Sequence, residues 1–392
     1  MGIRRKDAQI KAFVKAEKVK AGSAPRLIQP RDPRYNVVVG RYLKPIEGRV
    51  YDAIAKAWLS RHTVMKGMNA HGVARAMREL WDRFRDPVAV EIDAERFDQH
   101  VSVEALQWEH SIYLSCVASS ADRMRLKKLL SWQVQNKGVG YCPEGRIRYT
   151  VNGCRMSGDM NTGLGNCLLT SALLWEYCRT CNVHAKLVNN GDDCVVIMER
   201  VDYKRFLNGS HAWFTEMGFT MVMQPPKDVF ERIEFCQASP VFDGDRWVMV
   251  RNYKAFHKDS LSLFPLVDPG ATRKWLNAVG EGGSALANGI PIWEEFYRWY
   301  VRSSDALPKL RGNRKHRFGV LQHGALDTGM MILSRGMDRK PGVTQQARYS
   351  FWLAFGVVPD QQLAIEATIR ARAPLKFALN PPDQFVQELW RL

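Results

Sequence analysis

The sequence predicts an α+β fold on three observations. Val88-Ala89-Val90-Glu91-Ile92-Asp93 is a short apolar run that reads as a strand delivering an aspartate at its end. Leu187 to Ile197 reads as two strands around the tight turn Asn190-Gly191-Asp192-Asp193. Long stretches of helical periodicity lie between these strands and fill the carboxy-terminal third.

Taken in chain order, the first 50 residues alternate basic, Pro and β-branched positions. Pro25-Arg26-Leu27-Ile28-Gln29-Pro30 and Val37-Val38-Val39 predict extended segments and turns here rather than one helix. After the 88–93 strand, Ser102 is placed to cap a helix running through Leu106, Trp108, Ile112, Tyr113 and Val117. Ser157-Gly158-Asp159-Met160-Asn161 predicts a flexible loop, followed by a helix from about Thr162 to Cys181 built around Leu168, Leu169, Leu173 and Trp175. From about Arg251, Trp293–Val301 and Tyr349–Phe355 are amphipathic helical stretches between Gly- and Pro-bearing turns.

With 392 residues, 46% of them hydrophobic, the chain is long enough to bury a large core and to divide into two or three cooperating subdomains. It has no internal repeat and no low-complexity linker. Lys plus Arg number 57 against 40 acidic residues, a net +17 that suits a polyanion such as nucleic acid or an anionic membrane. The excess sits at two places, residues 1–49 with thirteen basic and four acidic residues and 296–341 with ten and three. The middle is therefore nearly neutral, and acidic metal ligands can sit there. No run of about 18 apolar residues is present to span a bilayer, and no apolar stretch follows the amino terminus to act as a signal peptide. Eight cysteines without a secretory signal predict free thiols in a reducing compartment. Cys178, Cys181 and His184 have a compact spacing, but they close an apolar helix and no second pair is near in sequence, so they read as packing rather than zinc.

Asp93, Asp192 and Asp193 all fall at strand ends or turns. An Asp-Asp turn alone is weak, because such residues are ordinary in hairpins. Several patterns in one order carry more weight: Asp93-x4-Asp98, then Ser157-Gly158-x3-Thr162-x3-Asn166, then Gly191-Asp192-Asp193. Together they resemble the central motifs of the RNA-dependent RNA polymerases of positive-strand RNA viruses. Upstream, Lys15-Ala16-Glu17-Lys18 and the run Ala24 to Asn36 are similar to the basic motif of the tombusvirus-like (tombus/carmo/umbravirus) group. Phe235-Cys236-Gln237, Trp247 to Arg251 and Lys258 to Leu263 are similar to the stretch that follows, so the resemblance runs from about residue 11 to 263 and returns at Ala347–Pro359.

The resemblance implies a right-hand fold with an antiparallel palm sheet backed by helices and a mostly helical thumb. The expected segments are fingers at 1–86, palm at 87–106, an insertion of fingers and palm at 107–155, palm at 156–250 and thumb at 251–392. It implies RNA-templated transfer of nucleotides from NTPs to an RNA 3′ end, with two Mg2+ or Mn2+ ions held by Asp93 and Asp192 and by Asp193 as a secondary ligand. Such ions lower the pKa of an attacking hydroxyl and steady a leaving pyrophosphate. Asp98, Ser157, Thr162 and Asn166 are expected to recognise the ribose, Thr162 and Asn166 sharing a helix face. Lys18 and Arg26 are expected at the triphosphate, Arg26 through its bidentate fork. Lys227 is the candidate general acid, and Arg31, Arg34, Arg251 and Lys254 the candidate RNA contacts. The basic stretch 311–317 is expected either to line a template or product exit or to face solvent.

The expected partners are template and product RNA and NTPs. Relatives carry a longer amino-terminal region than this sequence, so attachment to membrane-bound replication complexes in the host cytoplasm is expected from a missing region or a viral accessory replication protein. Two rivals are a reverse transcriptase, against which Asp98 and the Ser157, Thr162, Asn166 set argue, and a non-catalytic RNA-binding protein. The charge suits the second, but it does not explain aspartates at strand tips.

Overall fold

The computed structural model of the chain describes all residues except 1, 18–21, 143, 254–258, 260–261, 263–265, 267–268, 308–334 and 376–392. The predicted mixture of helices and antiparallel sheets is present. In chain order the first elements are β1 (Ile10–Val14), β2 (Leu27–Ile28), α1 (Pro33–Ala57), α2 (Ala70–Trp81), β3 (Pro87–Ala94), α3 (Phe97–His100), α4 (Val103–Ser115) and α5 (Ser120–Ser131). Then come β4 (Gln135–Cys142), β5 (Gly145–Asn152), α6 (Thr162–Thr180), β6 (Ala185–Asn189), β7 (Cys194–Glu199), α7 (Tyr203–Leu207), α8 (Ser210–Glu216) and β8 (Met221–Met223). The last are β9 (Ala238–Phe242), β10 (Trp247–Arg251), α9 (Pro269–Ala287), α10 (Trp293–Ala306), α11 (Gln345–Phe355) and α12 (Pro359–Ala371).

Two compact units divide these elements, residues 1–65 with 84–226 and residues 66–83 with 227–392. In the first unit an antiparallel sheet of order β6-β7-β3-β8 presses its apolar side chains into a core shared with α1, α4, α5 and α6. A second sheet, β2-β1-β4-β5, holds one parallel pair, β1 with β4.

The expectation of extended chain around Val37-Val38-Val39 is corrected by α1, which is 25 residues long. Asp32 caps it through Arg34 N, Pro33 takes the first helical position, and Tyr35, Val39, Leu43, Ile46, Val50 and Ile54 fall on one buried stripe. Burial of that stripe outweighs the small helix penalty of three valines, which is only tenths of a kcal/mol each. The predicted α4 and α6 form within two residues of their expected ends, α4 with Ser102 accepting from Ala105 N.

In the second unit the β9–β10 hairpin packs on α2, with Trp247 edge-on to Phe230. Helices α9 and α10 approach closely because Gly283 has no side chain; a Cβ there would lie 2.0 Å from the Tyr297 ring. The cysteines are free, as expected, with Cys178 buried, and among the described residues no three His, Cys, Asp or Glu side chains stand as a metal cluster. No described helix is long and apolar enough to cross a membrane.

Candidate active site

The site begins with strand register. In the antiparallel β3–β7 pair Ile92 faces Cys194, so the next residue on β3, Asp93, comes level with the turn that precedes β7. That turn, Asn190 to Asp193, joins β6 to β7, and Gly191 sits at φ +112°, where a side chain would be strained. Asn189 holds the turn. Its Oδ1 accepts from Gly191 N at 2.6 Å, and its Nδ2 donates to Cys167 O at 3.0 Å and Ser171 Oγ at 2.8 Å on α6. The backbone of Asn189 also bonds to Thr63 and Met65.

Asp93 and Asp192 are exposed and make no ion pair with a basic side chain among the described residues. Partial desolvation and then the charge of Asp192 hold the Asp93 carboxyl above the ordinary aspartate range. Cys194, buried beside them, has its thiol pushed far up by burial and then by Asp193, Asp192 and Asp93. The three carboxylates thus share one electrostatic neighbourhood, although they are not closed into a three-ligand cluster. Their chemistry suits a hard divalent cation, which takes oxygen ligands and completes its shell with water and phosphate oxygens.

Behind them, Asn166 on α6 donates from Nδ2 to Asp98 Oδ1 at 2.9 Å. Asn166 is buried, and its Oδ1 has no hydrogen-bond partner among the described residues. Burial raises the Asp98 carboxyl above its ordinary range; Asn166 and Arg155 pull it down, and Asp192 pushes it up again.

Two buried arginines fix the loop between β5 and α6, and both were missed as structural residues by the sequence reading. Arg155 meets Glu109 on α4, whose Oε1 also accepts from Asn161 Nδ2 at 2.8 Å and Tyr113 Oη at 2.7 Å. Arg31 donates to Asp159 Oδ1 at 2.5 Å, Ala8 O at 2.7 Å and Asn136 Oδ1 at 2.6 Å. The loop predicted to be flexible is therefore pinned at Arg155, Asp159 and Asn161. The expectation that Arg31 grips RNA is corrected, since the residue is 3% exposed and its guanidinium is spent on protein acceptors. Burial alone would lower its pKa, yet the Asp159 charge holds it above the usual value. A signal existed in the sequence: Glu109 lies on the same helical stripe as Leu106 and Tyr113, and a carboxylate on an apolar stripe demands a cation.

Within that loop, Ser157 Oγ donates to Leu27 O at 3.1 Å, and the Thr162 hydroxyl lies 3.1 Å from Met156 O and 3.0 Å from Asp159 O. The Thr162 hydroxyl serves the loop itself, and the Ser157 hydroxyl ties the loop to β2. Arg26 is exposed on β2's approach and lies 3.5 Å from Glu17, while Arg34 bonds Asp7 and Asp32. Lys18 lies outside the described residues, as do Lys254 and residues 311–317.

Residues 1–375 match the model of the viral RNA dependent RNA polymerase family. Among curated relatives, the RNA-directed RNA polymerase of Tobacco necrosis virus (strain D) is 42% identical over 96% of this chain and 51% of its own length. That of Turnip crinkle virus is 44% identical over 93% and 46%, and that of Carnation mottle virus 41% identical over 100% and 50%. The chain belongs to the viral RNA-dependent RNA polymerase family. It spans about half the length of these relatives.

Two further residues singled out in this polymerase-family sequence fall in the second unit. Lys227 is half-buried beside Pro226. Arg251 is corrected from RNA contact to structural anchor: its guanidinium pairs with Asp259 and donates to Tyr297 Oη at 2.8 Å, and that hydroxyl bonds Asp259 at 2.9 Å.

Proposed function

We propose that this chain carries out template-directed RNA synthesis, transferring nucleotides from NTPs to an RNA 3′ end in viral genome replication. The observation that carries this reading is that Asp93 and Asp192, brought level at the Gly191-Asp192-Asp193 turn, are exposed and make no ion pair with a basic side chain among the described residues, beside the bonded pair Asp98–Asn166. Asp93 and Asp192, with Asp193 second, would hold two Mg2+ or Mn2+ ions, which supply activation of the 3′-hydroxyl and neutralisation of the leaving pyrophosphate. Asp98 and Asn166 present oxygen acceptors to a 2′-hydroxyl, which both donates and accepts. A deoxyribose would leave the buried Asn166 Oδ1 unpaired, a cost of about 1–3 kcal/mol. Arg26, exposed, presents its fork to triphosphate oxygens, with Lys18 upstream of it in the same basic motif, while Ser157 and Thr162 tie down the loop that leads into α6 and so to Asn166. Lys227 is the proposed general acid and Arg34 and Lys254 the proposed RNA contacts.

On this reading the β6-β7-β3-β8 sheet is the palm, within segments 87–106 and 156–250. Residues 1–86 and part of 107–155 are fingers, and 251–392 is thumb. Membrane attachment of a cytoplasmic replication complex would come from a viral accessory protein or from a region of the kind that makes the relatives longer.

The test is primer extension on an RNA template with NTPs or dNTPs, comparing wild type with Asp192→Ala. The expected result is ribonucleotide incorporation that the substitution lowers by at least about a thousandfold, the scale of several kcal/mol of charge stabilisation. Preferred dNTP incorporation would point to a reverse transcriptase. RNA binding with no synthesis by wild type, or undiminished synthesis by Asp192→Ala, would end the proposal.

A further inference from the structure

The sheet β2-β1-β4-β5 has two unlike faces, and the register sorts its residues between them. Residues paired across strands point to the same side, and side chains two apart along a strand do so too. Lys11 pairs with Val139 and Val139 with Arg148; Tyr141 pairs with Arg146 and Lys137 with Thr150. Phe13, two residues beyond Lys11 and paired with Ile28, falls on the same face one row along, level with Tyr141. One face therefore displays Lys11, Lys137, Arg146 and Arg148 with the aromatics Phe13 and Tyr141 between them.

All six side chains are exposed, Phe13 at 52% and Tyr141 at 71%. The four cations make no ion pair among the described residues. The reverse face is committed to the protein at its base. Ile10 is buried there, and Tyr149 lies flat against Gly138, where a Cβ would come within 2.1 Å of its ring, and donates to Gln29 Oε1 at 2.6 Å. The basic face is thereby turned away from the core and cannot easily roll over.

We infer that this face is a platform for single-stranded RNA, with Phe13 and Tyr141 stacking unpaired bases while Lys11, Lys137, Arg146 and Arg148 meet phosphates. Exposed aromatics among unpaired cations fit a flexible polyanion with flat, accessible rings; a duplex hides its bases and offers phosphates alone. The face also runs on toward Arg26, since Lys15 N bonds Arg26 O where β1 and β2 continue. A strand lying on it would reach the residue proposed for the triphosphate. The choice of RNA rests on the polymerase reading, but binding here can be measured without synthesis.

The test uses the full chain, with fluorescence anisotropy of a labelled oligouridylate of roughly 16 nucleotides, near the largest site size of one small domain. A duplex RNA and phosphatidylserine vesicles serve as the competing probes. Tyr141→Ala should weaken single-strand binding roughly five- to hundredfold, the range for losing one stacked base, and Tyr141→Phe should restore it. Arg146→Gln with Arg148→Gln should reduce the slope of log affinity against log salt by about 1.4, two phosphates at roughly 0.7 each, whereas the Lys pair at both positions should keep it. Anisotropy measured without NTP needs no synthesis, which separates this proposal from the catalytic one. Unchanged affinity and slope in these variants would overturn the platform, as would losses confined to vesicles or equal for duplex and single strand.

Discussion

Glu109 is fully buried and meets Arg155, Asn161 and Tyr113, whereas Asp192 is exposed in its turn and meets no basic side chain among the described residues. The same contrast separates Asp159, held by buried Arg31, from Asp93, which makes no ion pair among the described residues and feels the charges of Asp192 and Glu95. Both pairs of carboxylates belong to one unit, and they stand one loop apart: Arg155 and Asp159 flank the Ser157 segment that leads to Asn166. Where an acidic group serves the fold, the protein supplies the counter-charge itself, because a buried charge left alone is prohibitive. Where it faces solvent at a strand tip, the field is left for something that arrives from solution.

The comparison breaks if removing charge has the same effect in both places. The largest difference is expected in activity: Asp192→Ala loses synthesis by about a thousandfold or more, while its melting temperature stays within the shift of a surface change, about 0.5 kcal/mol. Glu109→Gln should do the opposite. It leaves Arg155 buried without its counter-charge, which costs about 3–5 kcal/mol of stability, and denaturant titration would read this as a lower midpoint. A Glu109→Gln protein as stable as wild type would mean that the ion pair is not what pins the loop.

A smaller effect sharpens the link between the two regions. Gly165 precedes Asn166 on α6 and lies directly over the ion pair; a Cβ there would come 2.5 Å from Arg155 Nη2 and 2.5 Å from Glu109 Oε1. Gly165→Ala should cost about 1–3 kcal/mol as overpacking, and by shifting Asn166 it should lower the preference for NTP over dNTP more than it lowers incorporation of NTP itself. Competition between the two nucleotides in primer extension measures that ratio. An unchanged ratio in a destabilised protein would confine the ion pair to a purely structural role.

How much of this was legible follows from what each sequence signal depends on. The strand that ends at Asp93 and the hairpin around Gly191 could be read because an apolar run, a turn glycine and the aspartates are local features. The helix that carries Asn166 could be read for the same reason. Helix α1 could not: Val37-Val38-Val39 favours strands locally, and only the stripe from Tyr35 to Ile54 meeting a core elsewhere reverses that preference. The β4–β5 hairpin escaped notice because both of its faces are wet near the tip, so its alternation is not apolar against polar. Arg31, Arg155 and Arg251 show the limit most clearly. A cation's sequence neighbourhood does not say whether it faces RNA or a buried carboxylate; Arg31 and Arg251 lie in the basic and strand motifs that resemble RNA-facing segments, and both are spent on acids within the protein.

The last expected effect concerns pH and Asp98, which stands between the two classes: half-buried, bonded to Asn166, yet without a cation in direct contact among the described residues. Its carboxyl is raised above the ordinary range, by burial first, in spite of Asn166 and Arg155. A carboxyl raised in the folded state binds its proton more tightly there than in the unfolded chain. Its favourable contribution is therefore complete only below the unfolded value, near pH 4, and is lost as pH rises through the folded value. At pH 7 the ionised Asp98 is a net cost to the fold, so Asp98→Asn should melt at a higher temperature than wild type at pH 7, and the gain should vanish below about pH 4. An uncharged amide still reaches Asn166, so the hydrogen bond does not confound the comparison. A gain that is the same at both pH values would place the cost of Asp98 in packing rather than charge, and the carboxylate would then join Glu109 and Asp159 as part of the scaffold.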